Sequence, residues 1–115
     1  MEIKRYEGNG RMSRAVVAGE TIYFCGQTSR DGGDIKTQTA AVLKKIEDLL
    51  AAYGSDKEHM LMVQIYLKDI GDFAAMNEVY DPWIVDGHEP ARACVQAPLA
   101  APEILVEMVV TAAKK

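Results

Sequence analysis

Hydrophobic and polar positions along the chain change period several times, and each change marks an element. Glu2-Ile3-Lys4-Arg5-Tyr6 alternates and reads as a short strand, closed by the turn cluster Gly8-Asn9-Gly10. Arg14 to Ala18 and Thr21 to Cys25 are β-rich runs separated by Gly19-Glu20, the pattern of a tight hairpin whose second strand ends at Gly26-Gln27. After the loop Thr28 to Gly33, Asp34 is placed to cap a helix. Thr39, Val42, Leu43, Ile46, Leu49, Leu50 and Tyr53 then recur at helical spacing until Gly54 supplies the stop. From Met60 to Leu67 the period falls to two, with Leu61, Val63, Ile65 and Leu67 on one face and Met60, Met62, Gln64 and Tyr66 on the other. A second helix is expected from about Gly71 to Val85, its stripe made by Phe73, Asn77, Tyr80 and Ile84. Two more strands follow, Ala91 to Gln96 and Leu105 to Ala112, joined by the Pro-containing connection Ala97 to Ile104.

The order β-β-β-α-β-α-β-β asks for right-handed crossovers, which put both helices on one face of a sheet. The other face is left bare. It is expected to carry Met60, Met62, Tyr66 and, by parity on the next strand, Arg92, Cys94 and Gln96. A chain of 115 residues has no third layer to cover that face, so burial against other subunits, with a site at their boundary, is the economical arrangement.

Composition narrows the function classes. At 115 residues, 49% hydrophobic and 26% charged, the chain suits a single folded domain spanning 1–115. The net charge of −4 and the absence of a basic stripe argue against a nucleic-acid partner. No apolar run approaches the roughly 20 residues of a membrane span, and no N-terminal stretch reads as a secretory signal. Cys25 and Cys94, the only cysteines, are therefore expected to be reduced thiols in a cytoplasmic protein.

Two charged residues stand in apolar strands. Arg92 follows Glu89-Pro90-Ala91, and an enclosed guanidinium at that place needs a partner; its planar fork matches a carboxylate, which makes it a candidate grip for a small carboxylate ligand. A structural ion pair or a solvent-exposed edge residue fits the same pattern. Glu107 interrupts Leu105-Val106-Glu107-Met108-Val109-Val110 and reads as a partner for Arg92, as an acid/base group with a pKa raised by burial, or as a carboxylate on a wet strand surface. No cationic side chain is placed by sequence to activate Cys25 or Cys94, so both are expected to pack as small hydrophobes. His59 and His88 stand alone, no spacing matches a metal site, and no Gly-rich phosphate loop is present, so no metal and no cofactor are expected.

Ala15-Val16-Val17 with Gly26-Gln27, then Gln38-Thr39, Asp72-Phe73-Ala74-Ala75-Met76-Asn77-Glu78-Val79-Tyr80, Pro90-Ala91-Arg92 and Val106-Glu107 form a longer pattern. In it the chain resembles the reactive-intermediate deaminase (Rid) family, also called the YjgF/YER057c/UK114 family, from about Met12 to Ala112. The resemblance implies a chorismate-mutase-like α+β fold, with two helices packed on one face of a mixed sheet, assembled as a homotrimer with intersubunit sites. It implies that the last strand inserts antiparallel beside the first crossover strand. It also implies hydrolytic deamination of imines or enamines of small 2-keto acids, such as 2-iminopropionate, without a cofactor.

By the same resemblance, Arg92 grips the substrate carboxylate and Glu107 positions or activates water. Cys94 contributes a backbone group and Asn77 has a structural role; Cys25, which stands where many relatives have serine, and Gly26 are expected with Arg92 and Cys94 in the substrate-binding set, the backbone near Gly26 helping to hold the nitrogen or oxygen. The chain departs from the pattern at Met12, which replaces a tyrosine of many active members, and at Arg14, which replaces a glutamine. The segment between Tyr80 and Pro90 is also shorter. These departures mark a divergent branch and sustain an alternative function, a noncatalytic trimer that binds or senses a small carboxylate metabolite.

Overall fold

A computed structural model describes residues 1–115. The strands are β1 (Ile3–Tyr6), β2 (Ala15–Ala18), β3 (Thr21–Phe24), β4 (Gln27–Thr28), β5 (Met60–Leu67), β6 (Ala91–Gln96) and β7 (Val106–Ala113), and the helices are α1 (Ile35–Ala52) and α2 (Phe73–Trp83). They build one 7-stranded mixed sheet in the order β1-β2-β3-β7-β5-β6, with β4 also paired to β7. β7 runs antiparallel to β3, β4 and β5, whereas β5 and β6 are parallel and are joined through α2. The last strand thus enters the middle of the sheet, as the family resemblance implies. β6 is left as an edge.

Helix α1 starts and stops as its sequence directs. Asp34 accepts the Thr37 N–H at 2.9 Å, satisfying a donor of the first turn that has no helical partner. At the other end Gly54, at φ +80°, reverses the chain, so that Ser55 N–H reaches Leu50 C=O at 2.8 Å. The Ser55 hydroxyl then donates to Ala113 C=O at 2.6 Å and ties this end of the helix to the end of β7. The buried stripe Thr39, Val42, Leu43, Ile46, Leu49 and Leu50 is the one expected, extended by Ile35 and Gln38. Gln38 is wholly buried, yet its amide is satisfied: it donates to Glu103 C=O at 2.8 Å and accepts from Leu105 N–H at 2.9 Å. One polar side chain therefore fixes the connection that delivers β7 to the sheet.

Helix α2 is shorter than its pattern suggests. A 3-10 turn, Ile70–Asp72, precedes it, and it ends at Trp83, with Pro82 in its last turn. Pro82 has no N–H to give the preceding turn, and Ile84 is already extended at ψ 142°. Ile84 consequently leaves the helical stripe that the spacing assigned to it. Lys57 Nζ donates to Trp83 C=O at 2.8 Å, supplying the helix end with a donor and a positive charge.

Both helices cover the same face of the sheet. Ala15, Val17, Ile22, Phe24, Val63, Ile65, Leu67, Val106, Met108, Val110 and Ala112 meet α1 and Met76 and Tyr80 of α2 in one buried cluster. The opposite face is open, and Tyr23 (51% exposed) and Val95 (49%) show how bare it is. Its membership differs from the expectation in two places. Met60 pairs with Ala112 and Met62 with Thr111, so Leu61 is an additional residue in a bulge. The bulge turns Met60 into the core and leaves Leu61 48% exposed, reversing their expected sides. The second correction concerns β6. Its register sets Arg92 beside Val63 and Cys94 beside Ile65, so Arg92 and Cys94 lie on the helix side of the sheet. Parity within a strand cannot reveal which face an adjacent strand presents; only the register can.

Candidate functional site

Two groups of side chains carry chemistry. The first lies where the end of α2 meets the start of β6. Arg92 reaches across to α2, where its Nη1 donates to Asn77 Oδ1 at 2.8 Å. Its guanidinium carbon stands 4.9 Å from the centre of the Tyr80 ring and 5.6 Å from that of Phe73, distances at which the ring quadrupoles attract a cation. Phe73, Asn77 and Tyr80 are four and three residues apart on α2, so one helical stripe supplies all three contacts. No carboxylate of the chain pairs with Arg92, and much of its hydrogen-bonding fork is free. It faces an open cavity of about 560 Å³ whose lining includes Asp81, Ile84, Asp86 and Glu89. The three carboxylates bring negative charge to the rim, and Glu89 is partly engaged by the Gly87 N–H at 3.0 Å.

Burial acts on the neighbours of Arg92. The Tyr80 hydroxyl is held above its ordinary pKa by burial, with the Arg92 charge pulling it back. The Cys94 thiol is likewise pushed up by burial, against a smaller opposing pull from Arg92. Cys94 is thereby kept in its protonated, poorly nucleophilic form.

The second group lies on the open face. Glu107 is opposite Tyr66 on β5 and Thr28 on β4. Its carboxyl group folds over Gly26, close enough that a Cβ added there would meet Glu107 Oε2 in a hard clash and Cδ at 2.9 Å. Next to it, the Gln27 amide donates to Cys25 C=O at 3.1 Å and to the Cys25 Sγ at 3.4 Å. Among the residues singled out from sequence, the fold joins Arg92, Asn77 and Cys94 in one group and Glu107, Gly26 and Cys25 in the other. It does not join the two groups within a chain. Glu107 is not the partner of Arg92 here, since the sheet separates them.

Helical spacing places Phe73, Asn77 and Tyr80 on one stripe of α2 but does not by itself show their hold on Arg92. The signal was Asn77, a polar residue between two aromatics at helical spacing. Met12 is 47% exposed in the loop before β2, with its N–H donated to Asn9 Oδ1 at 2.9 Å. Arg14 is turned away toward Glu7 at 3.5 Å, and Glu7 in turn accepts the Tyr53 hydroxyl. No group of three His, Cys, Asp or Glu side chains is placed to hold a metal ion. No helix is long and apolar enough to cross a membrane.

Residues 2–114 match the family profile described as endoribonuclease L-PSP. The RutC family protein YoaB of Escherichia coli strain K12 is 40% identical over 113 residues, 98% of this chain and 99% of its own length. The crystal structure of NMB1025, a member of the YjgF protein family from Neisseria meningitidis, superposes with a TM-score of 0.96 at 46% identity, covering 100% of this chain and 97% of that one. The chain belongs to the YjgF/Rid family. The family extends well beyond these relatives: Rv2704 of Mycobacterium tuberculosis, a member of the YjgF/YER057c/UK114 family, keeps a TM-score of 0.85 at 27% identity over 97% of this chain and 99% of its own. The mixed sheet and paired helices are therefore the YjgF-family fold, held across wide sequence divergence.

Proposed function

We propose that this YjgF-family chain hydrolyses imines or enamines of small 2-keto acids, in sites shared between copies of a homotrimer. The observation that carries the reading is Arg92: a guanidinium oriented by Asn77, Tyr80 and Phe73, paired with no carboxylate of its own chain, at the mouth of a cavity. A bidentate carboxylate completes such a group. β6 is an edge strand and the face carrying Glu107 is uncovered, so a second copy docked by its open face against this edge supplies the missing acid/base group. Light scattering is expected to give about three chains per particle. A monomer across micromolar concentrations would remove the shared site.

The chemistry asked of such a site is modest. With the carboxylate held at Arg92, Glu107 of the adjoining copy takes a proton from water as its oxygen bonds to C2, giving a carbinolamine. That proton passes to nitrogen to complete the carbinolamine; Glu107 then takes the hydroxyl proton and delivers it to nitrogen, the C–N bond breaks with its electron pair leaving on ammonia, and the C2 oxygen becomes the ketone. Backbone groups near Cys94 and Gly26 hold the nitrogen or oxygen as its charge changes. The test is to generate 2-iminopropionate in situ and follow pyruvate and ammonia release. Acceleration over the uncatalysed rate supports the reading, and its absence in folded protein rejects it.

Met12 favours a second reading, a noncatalytic trimer that binds a small carboxylate, because an exposed thioether has no hydroxyl to offer a substrate. Binding of pyruvate without accelerated imine decay is the result that selects it.

A further inference from the structure

We infer that Gly26 is a positioning residue whose missing side chain is the seat of the Glu107 carboxylate. The inference rests on the role proposed above for Glu107 and adds what holds that group in place. Glu107 emerges from β7 on the open face, flanked by Thr28 and Tyr66, and its side chain folds back over Gly26. A Cβ at Gly26 would collide with Oε2 and would stand 2.9 Å from Cδ and 3.2 Å from Cγ. Gly26 is not among the glycines at positive φ, so alanine suits its backbone and the requirement is for space alone.

The collision is with the far end of a flexible side chain and not with backbone. The protein yields to a methyl group at Gly26 by swinging the carboxylate aside, and the sheet is left as it is. Position 26 therefore controls where the carboxylate points while contributing little to folding. The short link Cys25-Gly26 between β3 and β4 is itself fastened. Cys25 N–H donates to Arg14 C=O at 3.0 Å, and the Gln27 side-chain amide bonds back to Cys25 C=O. The floor beneath Glu107 is thus fixed, and the carboxylate is the part that moves.

The Gly26→Ala protein separates this from a structural role. Its unfolding temperature should match wild type, and a crystal structure should show the Glu107 carboxylate displaced by about 1 Å or more, a misplacement able to cost up to about a hundredfold in turnover. kcat for 2-iminopropionate should fall at least tenfold with KM within about twofold, since the carboxylate grip is elsewhere. In a Glu107→Ala background the same substitution should cost several-fold less in kcat than it does alone, because the group it displaces is gone. A Glu107 carboxylate left in its wild-type position would overturn the inference whatever the activity. So would an undiminished effect of Gly26→Ala in the Glu107→Ala background, or a rise in KM with kcat unchanged. A wild-type protein without imine hydrolysis would reject the proposed function and leave the crystal structure to decide on Gly26.

Discussion

The edge where β6 meets α2 and the open face around Glu107 are built on opposite principles. At the edge, one chain supplies everything around Arg92: a hydrogen-bond acceptor at 2.8 Å, two aromatic rings and a cavity. Side chains from one helical stripe hold the guanidinium in a chosen direction before any ligand arrives, so less ordering is left for binding. On the open face Glu107 has a glycine floor and strand neighbours, and both helices of its own chain pack on the other side of the sheet. In the proposed shared site the first region is a finished half and the second is a half that needs a lid. A binding group profits from preorganisation within one chain, whereas an acid/base group on a bare sheet needs another surface to exclude water and raise its electrostatic effect.

The contrast is sharpest at Arg92, where the largest effect is expected. Removing one side of an enclosed ion pair typically costs about 2 to 5 kcal/mol, so Arg92→Ala should weaken pyruvate binding by roughly thirtyfold or more, measured by calorimetry. Arg92→Lys keeps the charge without the planar fork and should recover only part of the loss. Wild-type affinity in both variants would make Arg92 a structural residue. Glu107→Gln probes the other half: it should lower kcat by about a hundredfold while ligand affinity stays within about twofold. Equal losses in both would assign Glu107 to binding and erase the division of labour.

Smaller effects follow around these two residues. Tyr80→Leu keeps bulk beside Arg92 but removes the ring face, and a cation–π contact of about 0.5 to 1 kcal/mol predicts a two- to fivefold loss of affinity. An effect on kcat alone would show that Tyr80 does something other than hold the guanidinium. The smallest expected effect is at the thiols. Burial keeps Cys94 protonated above the pH at which a free thiol ionises, so its alkylation by iodoacetamide at pH 8 should lag that of glutathione. The Cys25→Ala, Cys94→Ala protein should remain folded and measurably active. Complete loss of activity in that folded variant would bring a thiol into the mechanism.

Much of this architecture is legible in the sequence, for reasons that differ by element. Helix α1 is written three times over, in its cap Asp34, its stripe and its terminal Gly54, so its limits follow closely. β5 and β6 declare themselves by composition and period. The faces are harder. A bulge at Met60 to Met62 adds one residue and exchanges the sides of Met60 and Leu61, and nothing in a run of Met-Leu-Met announces it. The side on which Arg92 lies depends on the register between β5 and β6, a long-range property that alternation within either strand does not contain. β4, two residues long, exists because β7 pairs with it and escapes any local pattern. The central position of β7 follows from the family resemblance, since its own apolar run fits an edge or a centre equally well.

The separation of Arg92 and Glu107 within a chain, with their union across two, can be tested by mixing subunits. Arg92→Ala and Glu107→Ala proteins should each be nearly inactive. Unfolded together in equal amounts and refolded, they assemble hybrids in which an intact Arg92 meets an intact Glu107 in about a quarter of the boundaries of a cyclic, head-to-tail assembly. Imine hydrolysis by the mixture should then rise to about a quarter of the wild-type rate. A rate no greater than the average of the two parent proteins, in hybrids shown to have formed, would contradict the shared site.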